Sequence, residues 1–212
     1  MSTAQVSNEL ALQRYYRLHA KIYDATRWSF LFGRKKIIHL ASDKVQPKNI
    51  LEVGCGTGSN IRALISAFPK ANITGLDLSA AMLEVANKKI SNTNEQIKLI
   101  EKKYDQPLMN IDGKVEKFDL ILFSYALSMF NPGWDAAIKA AKEQLSEDGM
   151  IAVVDFQKSR FKSYKNWMKI NHVKMEDHLN DELKKHFIPM VELSRNAYFG
   201  IWDYLLFVGK RL

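Results

Sequence analysis

Two hydrophobic spacings alternate along the chain from residue 49 onward. Short apolar runs typical of buried strands take turns with stretches whose apolar residues lie three or four positions apart, which is typical of helices. The predicted strands are 50–53, 73–78, 97–100, 118–124 and 150–156, and the predicted helices are 59–68, 79–89 and 134–145. This order predicts an α/β fold in which helices cover both faces of a mostly parallel sheet. A last strand, 201–208, has no helix directly before it, so it is able to pair in the antiparallel direction.

The first 48 residues differ, and we interpret residues 1–48 as a helical extension in front of a domain formed by residues 49–212. Aromatic and apolar residues repeat at helical spacing on one face, and three cations share the opposite face: Leu12, Tyr15, Tyr16, His19, Ile22 and Tyr23 on the first, Arg14, Arg17 and Lys21 on the second. Arg27 and Trp28 open a segment that mixes aromatic side chains with cations. Such a surface suits an anionic bilayer, and it also suits a helix that packs its aromatic face on the domain.

The composition is that of an ordinary globular chain. Its 212 residues, 47% hydrophobic and 25% charged, are enough for a domain with a core and exclude a disordered or collagen-like chain. The single cysteine, Cys55, excludes an intramolecular disulfide framework. Residues 1–10 lack an apolar signal segment, and no apolar run is long enough to span a bilayer. We therefore expect a cytoplasmic protein, free to attach peripherally to the inner face of the cell membrane.

The net charge of +8 is concentrated at the two ends of the chain. Residues 1–50 carry +6 and residues 156–212 carry +5, whereas residues 51–155 carry −3. This asymmetry is typical of chains with an anionic partner, such as a membrane surface or a nucleic acid, and also of chains whose lysines are simply solvated. Nothing in the sequence resembles an RNA-binding module, so we expect no nucleic acid partner.

The strongest chemical signal is a loop with three alternating glycines, Gly54, Gly56 and Gly58, between the first predicted strand and the first predicted helix. Glycines at this position let the backbone turn sharply and approach a ligand closely. A dinucleotide fingerprint would place its third glycine at position 59, and no Lys-Ser/Thr pair of a phosphate-binding loop follows. Glu52, two residues before the loop, would repel a pyrophosphate and suits a ligand with a cationic end.

Glu52 and the three glycines resemble the first motif of the class I S-adenosylmethionine-dependent methyltransferases. Asp77, 19 residues after Gly58, matches the acidic residue that accepts the ribose hydroxyls in that family. The resemblance implies a Rossmann-like three-layer sandwich with a seven-stranded sheet and an antiparallel C-terminal strand. It also implies S-adenosyl-L-methionine as cofactor and S-adenosyl-L-homocysteine as product, and because the histidines lack metal-ligand spacing we expect no metal. The implied cofactor-binding residues are Glu52, Gly54, Cys55, Gly56, Gly58, Asp77, Leu78, Met82, Tyr104 and Ser124.

A second resemblance is found mainly toward the ends of the chain. Residues 15–30 resemble the opening of bacterial lipid-headgroup N-methyltransferases, closest to those that trimethylate diacylglyceryl-homoserine in betaine-lipid synthesis. Residues 123–129, 153–156, 172–173 and 204–209 resemble later segments of these enzymes, and residues 175–198 depart from their pattern. Phosphatidylethanolamine methyltransferases share part of the pattern. The resemblance thus implies methyl transfer to the amine of a membrane-lipid headgroup.

An amine must be neutral when it attacks, so a proton has to leave, and a tyrosine, a histidine or water can accept it. Ser124 and Tyr125 end the fourth predicted strand, at the edge where such sheets bind ligands. The catalytic candidates are Tyr23, Tyr125 and His172. The candidates on the substrate or membrane side are Tyr16, Arg27, Arg14, Arg17, Lys21 and Trp28, of which Arg27 is suited to hold a carboxylate or phosphate as a fork.

Two other functions stay open at this point. One is a soluble small-molecule or quinone methyltransferase whose basic ends are incidental. The other is an RNA-binding methyltransferase or a cofactor-binding regulator, which the sequence 131–134, Asn-Pro-Gly-Trp, disfavours because methyltransferases of exocyclic amines often carry Asn/Asp-Pro-Pro-Tyr/Phe there.

Overall fold

A seven-stranded sheet of order β3-β2-β1-β4-β5-β7-β6 forms the centre of the protein. The structure, a computed structural model, describes residues 31–90, 96–170, 173, 175 and 177–212. Its strands are β1 Asn49–Val53, β2 Asn72–Asp77, β3 Ile97–Glu101, β4 Phe118–Ser124, β5 Leu145–Ser159, β6 Phe187–Ala197 and β7 Trp202–Arg211. The α-helices of the described residues are α1 Arg34–Ser42, α2 Ile61–Ala67, α3 Ala80–Ile90, α4 Trp134–Gln144, α5 Lys162–Ile170 and α6 Leu179–His186.

The parallel half of the sheet sets the position of the site. Strand β1 pairs in parallel with β2 on one side and with β4 on the other, so the chain order reverses direction at β1. In open α/β sheets the crevice beyond the carboxyl ends of the strands at such a reversal is where ligands bind. We call this side of the sheet, where the parallel strands end, the carboxyl edge.

Strand β7 runs against the other strands, since it pairs antiparallel with β5 and with β6. This confirms the predicted Rossmann-like fold with seven strands and an antiparallel C-terminal strand. Strand β6 was not predicted. It lies at the edge of the sheet, most of its residues are exposed, and Pro189 interrupts it, so it lacks a continuous apolar run.

The apolar core has a layer on each face of the sheet, because successive side chains of a strand point to opposite faces. On β4, Leu120 and Leu122 belong to the layer that is covered by α1 and α2. Ile121 and Phe123 belong to the other layer, which is covered by α4 and α6. The continuous apolar run of β4 thus reflects a strand that is buried on both faces.

The start of α3 follows the expected capping pattern. The hydroxyl oxygen of Ser79, the residue before the helix, accepts a hydrogen bond of 3.4 Å from the backbone N–H of Met82. The prediction of Ser79 as the N-cap residue is therefore confirmed. This cap fixes the path of the chain directly after Asp77, the end of β2.

Candidate active site

The glycine loop between β1 and α2 has a backbone that only glycine adopts easily. Gly54, Gly56 and Gly58 have positive φ angles of 71°, 54° and 72°. A Cβ atom on Gly54 would lie 2.8 Å from the Cβ of Ala126, so this glycine is needed for packing. A Cβ atom on Gly56 would meet nothing within 4 Å, which leaves open space beside the loop backbone.

The Glu52 side chain lies under the glycine loop, where only 1% of its surface is exposed. Its Oε1 accepts a hydrogen bond of 2.7 Å from Nδ2 of Asn60, and its Oε2 has no hydrogen-bond partner in the described part of the chain. Burial raises the pKa of this carboxyl from 4.5 to about 7. A cationic group near Oε2 would satisfy the oxygen and favour the charged form.

Asp77 connects the glycine loop to the start of α3. Its Oδ2 accepts a hydrogen bond of 2.8 Å from the backbone N–H of Gly56, and its Oδ1 accepts one of 2.9 Å from the N–H of Ser79. Burial raises its pKa above the ordinary value, against the lowering effect of these backbone donors. Each carboxylate oxygen has a further lone pair, so Asp77 retains capacity to accept hydrogen bonds from two hydroxyl groups.

Two other predicted cofactor residues carry polar atoms that lack partners. The hydroxyl groups of Tyr104, just after β3, and Ser124, at the end of β4, are buried and have no hydrogen-bond partner among the residues described here. Together with Oε2 of Glu52 they give three unsatisfied polar atoms near the ends of the parallel strands β1, β3 and β4. Buried polar atoms are nearly always satisfied in folded proteins, so this set indicates a bound polar ligand.

The remaining members of the predicted set form the walls of the site. Met82, in the first turn of α3, is buried, and Leu78 after β2 is half-buried. Cys55 is buried, and burial raises the pKa of its thiol well above the usual value, so the thiol stays protonated. The residues at the glycine loop fit a cationic nucleoside cofactor, because there is open space at Gly56 and because Oε2 of Glu52 has no partner among the described residues.

Tyr125 follows β4 at the carboxyl edge and has a positive φ of 57°, which is uncommon for a tyrosine. Its N–H donates to the carbonyl oxygen of Val154 at 2.7 Å, and its hydroxyl donates to the carbonyl oxygen of Phe32 at 2.6 Å. Burial raises the pKa of the hydroxyl well above the usual value, so the neutral phenol is favoured. Its predicted role as a proton acceptor stays a prediction.

Sequence reasoning missed Asp155 as a site residue. It follows Val154 on β5, beside Tyr125, and its side chain has no exposed surface. Its oxygens accept hydrogen bonds from the backbone N–H groups of Ser128 at 3.1 Å and Phe156 at 2.8 Å, and burial raises its pKa to about 6. The signal in the sequence was a lone acidic residue directly after the apolar run of a buried strand.

Several predicted residues lie outside the described part of the chain. These are the catalytic candidates Tyr23 and His172, and the substrate or membrane candidates Tyr16, Arg27, Arg14, Arg17, Lys21 and Trp28. The residues that are described contain no group of three or more His, Cys, Asp or Glu side chains placed to hold a metal ion. None of their helices is long and apolar enough to cross a membrane.

Comparison with known proteins gives the class of this domain. Residues 50–149 match the family described as Methyltransferase domain. A malonyl-acyl-carrier-protein O-methyltransferase of Priestia megaterium is 29% identical over 194 residues, which cover 89% of this chain and 66% of the relative. Another, of Acetivibrio thermocellus, is 27% identical over 150 residues, which cover 68% of this chain and 49% of the relative. The chain thus spans between about half and two thirds of the length of these curated relatives.

Solved structures share the fold at low sequence identity. The N-methyltransferase NodS from Bradyrhizobium japonicum with S-adenosylhomocysteine has a TM-score of 0.68 and 16% identity, and the match covers 84% of this chain and 85% of that one. Phospholethanolamine N-methyltransferase 2 of Haemonchus contortus, in complex with phosphomonomethylethanolamine and S-adenosylhomocysteine, has a TM-score of 0.75 and 12% identity, over 96% of this chain and 59% of that one.

Residues 50–149 thus match a methyltransferase domain, and the seven-stranded sheet has the Rossmann-like fold that was predicted. This match supports the predicted class and, with it, the predicted cofactor S-adenosylmethionine. The curated relatives are named as O-methyltransferases of malonyl-acyl-carrier protein, which differs from the lipid-headgroup N-methyltransferases that residues 15–30 resemble.

Proposed function

We propose that this chain transfers methyl groups from S-adenosylmethionine to the amine of a membrane-lipid headgroup, such as that of diacylglyceryl-homoserine or phosphatidylethanolamine. The observation that carries the proposal is the buried carboxyl group of Asp155 beside Tyr125 at the carboxyl edge. Its pKa of about 6 leaves it mostly ionised at neutral pH, in spite of complete burial. A fixed negative charge at this place suits an acceptor that is or becomes cationic.

The chemistry of an amine acceptor benefits from that charge. When bound, S-adenosylmethionine supplies a methyl group on a positively charged sulfur. Transfer of that methyl group to an amine would move the positive charge from the sulfur to the acceptor nitrogen. The Asp155 carboxylate, which is itself fully buried, would lower the energy of that developing charge. A carboxylate acceptor instead loses charge, and it would first be repelled by Asp155.

The other side chains of the site bind and orient. Glu52 offers Oε2 to a cationic end of the cofactor, and Asp77 offers its free lone pairs to two hydroxyls. Hydrogen bonds to Phe32 and Val154 hold Tyr125, so its ring has a fixed position. We place the acceptor beside Tyr125 and Asp155, and we call this part of the carboxyl edge the acceptor side. Because its hydroxyl is neutral and already donates a hydrogen bond, we assign it a positioning role.

The second candidate function is O-methylation of a carboxyl group on an acyl carrier protein. The names of the curated relatives favour it, at 29% and 27% identity. The fold does not decide between the two, because the solved structures that share it include N-methyltransferases. The carboxylates at the carboxyl edge weigh against an anionic acceptor.

The test is a methyl-transfer assay with labelled cofactor and separate acceptors. These are vesicles that contain phosphatidylethanolamine, a bacterial lipid extract that contains diacylglyceryl-homoserine, water-soluble glycerophosphoethanolamine, and malonyl-acyl carrier protein. The products are identified by mass spectrometry. We expect label in the amines of lipid headgroups, and label only in malonyl-acyl carrier protein would contradict the proposal. Label only in a small soluble acceptor would instead support the soluble methyltransferase.

A further inference from the structure

Five exposed apolar residues lie together at the carboxyl edge, next to the acceptor side of the site. We call them the apolar rim: Phe32, Phe161, Tyr198, Phe199 and Ile201. Hydrogen bonds and a ring contact connect four of them, and Phe199 follows Tyr198 in the chain. Ser159 Oγ donates to the carbonyl oxygen of Ile201 at 2.6 Å and accepts from the N–H of Phe161 at 3.2 Å, and the rings of Phe32 and Tyr198 are 5.3 Å apart.

The apolar rim stands beyond the end of β4, on the side of the carboxyl edge where Tyr125 lies. Strand β5 pairs with β4 up to Val154 and then continues to Ser159, which pairs with Trp202 beside the turn between β6 and β7. Five residues of strand reach about 15 Å, so that turn lies about this far past the end of β4. Phe32 joins the two regions, because its carbonyl oxygen holds Tyr125 and its ring contacts Tyr198.

The backbone of the turn between β6 and β7 holds two aromatic residues in an unfavourable conformation. Tyr198 and Phe199 have φ angles of 48° and 58°, in the left-handed region that favours glycine. The Phe199 side chain is fully exposed, at 111% of its reference area. Backbone strain of this kind persists only where the rest of the fold compensates its energetic cost. Here the strained turn exposes the large apolar side chain of Phe199 to the solvent.

The segment that contains Phe161 of the rim is rich in cations and has no acidic residue. Residues 160–170 contain Arg160, Lys162, Lys165 and Lys169, and no Asp or Glu. On α5 the three lysines fall within about 60° of one another around the helix axis, and Trp167 and Ile170, both exposed, fall within another 60°. A short helix that presents cations beside exposed apolar residues is typical of the interface between water and an anionic bilayer.

We propose that the apolar rim and the lysine face of α5 form the surface with which this protein docks on an anionic membrane. Apolar side chains at the turn enter the headgroup region, and the cations of residues 160–170 contact lipid phosphates. A protruding Phe199 needs no complementary pocket, which favours a fluid bilayer over an acidic protein as the partner. The inference deepens the proposed function and rests on it for the reason to dock, because a headgroup amine reaches the carboxyl edge from this side.

The experiment measures co-sedimentation of the full chain with vesicles of phosphatidylglycerol and phosphatidylcholine, without cofactor or acceptor. We expect binding to the anionic vesicles and little binding to pure phosphatidylcholine. Phe161→Ser with Phe199→Ser should weaken the partition at least about tenfold, since two exposed rings no longer leave water. Lys162→Glu, Lys165→Glu and Lys169→Glu together should weaken it about a hundredfold at low salt.

Matched variants control for polarity and net charge. Ile111→Ser removes a fully exposed apolar residue of the segment between β3 and β4, and Lys70→Glu with Lys98→Glu and Lys139→Glu gives the same charge change on other elements. Both should bind vesicles as the unchanged chain does. Circular dichroism and cofactor affinity establish that the rim variants are folded.

The outcomes separate this proposal from the proposed function. If the rim variants bind vesicles as well as the unchanged chain, the docking surface lies elsewhere and the proposal is overturned. Binding to acidic acyl carrier protein in place of vesicles overturns it as well. Failure to methylate any amine contradicts the proposed function and leaves the vesicle result standing, because docking is measured without methyl transfer.

Discussion

The hydroxyl of Tyr125 donates a hydrogen bond of 2.6 Å to the carbonyl oxygen of Phe32, which lies 93 residues earlier in the chain. Phe32 directly precedes Gly33 and α1, and Tyr125 directly follows β4. The contact therefore joins the segment that enters the domain to the acceptor side of the carboxyl edge. A tyrosine held in this way, neutral and at a positive φ, suits the positioning role that we propose for it.

Tyr125→Phe tests that positioning role. The change leaves the carbonyl oxygen of Phe32 without its donor, so we expect a loss of about 1–3 kcal/mol in the free energy of unfolding. Because the ring itself remains, cofactor affinity should stay unchanged while kcat for the acceptor falls about tenfold. Calorimetry and steady-state kinetics measure the two effects. An equal loss in cofactor affinity would place Tyr125 at the cofactor instead.

Asp77→Asn tests the role of the second carboxylate. The amide can still accept from one backbone N–H, but it loses the charge that strengthens hydrogen bonds from ribose hydroxyls, so cofactor binding should weaken by about 1–3 kcal/mol. Asp119→Asn is the matched control. Asp119 also accepts two backbone N–H bonds, from Lys48 and Asn49, but at the opposite edge of the sheet. If both variants bind the cofactor alike, Asp77 has only a structural role.

The sequence predicted the parts of the fold that depend on neighbours in the chain. Strand β4 has the predicted bounds, Phe118–Ser124, because a strand buried on both faces is a continuous apolar run. The edge strand β6 has no such run and was missed. The role of Asp155 was also missed, because it depends on a backbone donor, Ser128, that lies 27 residues away. Contacts between segments that are distant in the chain produce no regular spacing of residues, so the sequence pattern does not predict them.

The pKa of Glu52 makes a prediction about pH. The folded chain keeps a proton on this carboxyl between pH 4.5 and about 7, where the unfolded chain has lost it, so the free energy of unfolding falls as the pH rises through that range. Cofactor affinity should run the other way and increase up to about tenfold from pH 6 to pH 8, because only the ionised form attracts a cation.

Glu52→Gln removes the two effects that ionisation of Glu52 has, one on stability and one on cofactor affinity. The amide oxygen can still accept from Asn60, so the fold is retained. Its stability should fall less steeply between pH 4.5 and about 7, because the contribution of Glu52 is gone while those of Asp155 and Asp77 remain. Cofactor affinity should be weak and nearly independent of pH. Chemical denaturation and calorimetry at several pH values measure the two profiles. A variant whose affinity still rises toward pH 8 would exclude Glu52 as the group responsible.

Asp155→Asn distinguishes an amine acceptor from a carboxylate acceptor. With an amine, loss of the buried charge should lower kcat by about tenfold to a hundredfold, since the developing positive charge loses its partner. The variant should lose the part of the fall in rate below about pH 6 that comes from protonation of this carboxyl, whereas the part that comes from protonation of the amine remains. With a carboxylate acceptor the same change removes a repulsion, so a faster variant would support O-methylation.

Gly56→Ala asks whether the open space beside the glycine loop is where the cofactor lies. Gly56 and Gly113 have positive φ angles of 54° and 72°, and an added Cβ would meet nothing within 4 Å at either residue. Alanine should therefore cost a similar amount of stability at both, about 1–2 kcal/mol, because the left-handed backbone disfavours a side chain. Only at Gly56 would the methyl group stand where a ligand approaches the loop. We expect cofactor affinity to fall at least tenfold in Gly56→Ala and to stay unchanged in Gly113→Ala, measured by calorimetry on variants matched for thermal stability. Equal affinity in the two variants would mean that the cofactor does not lie against this loop.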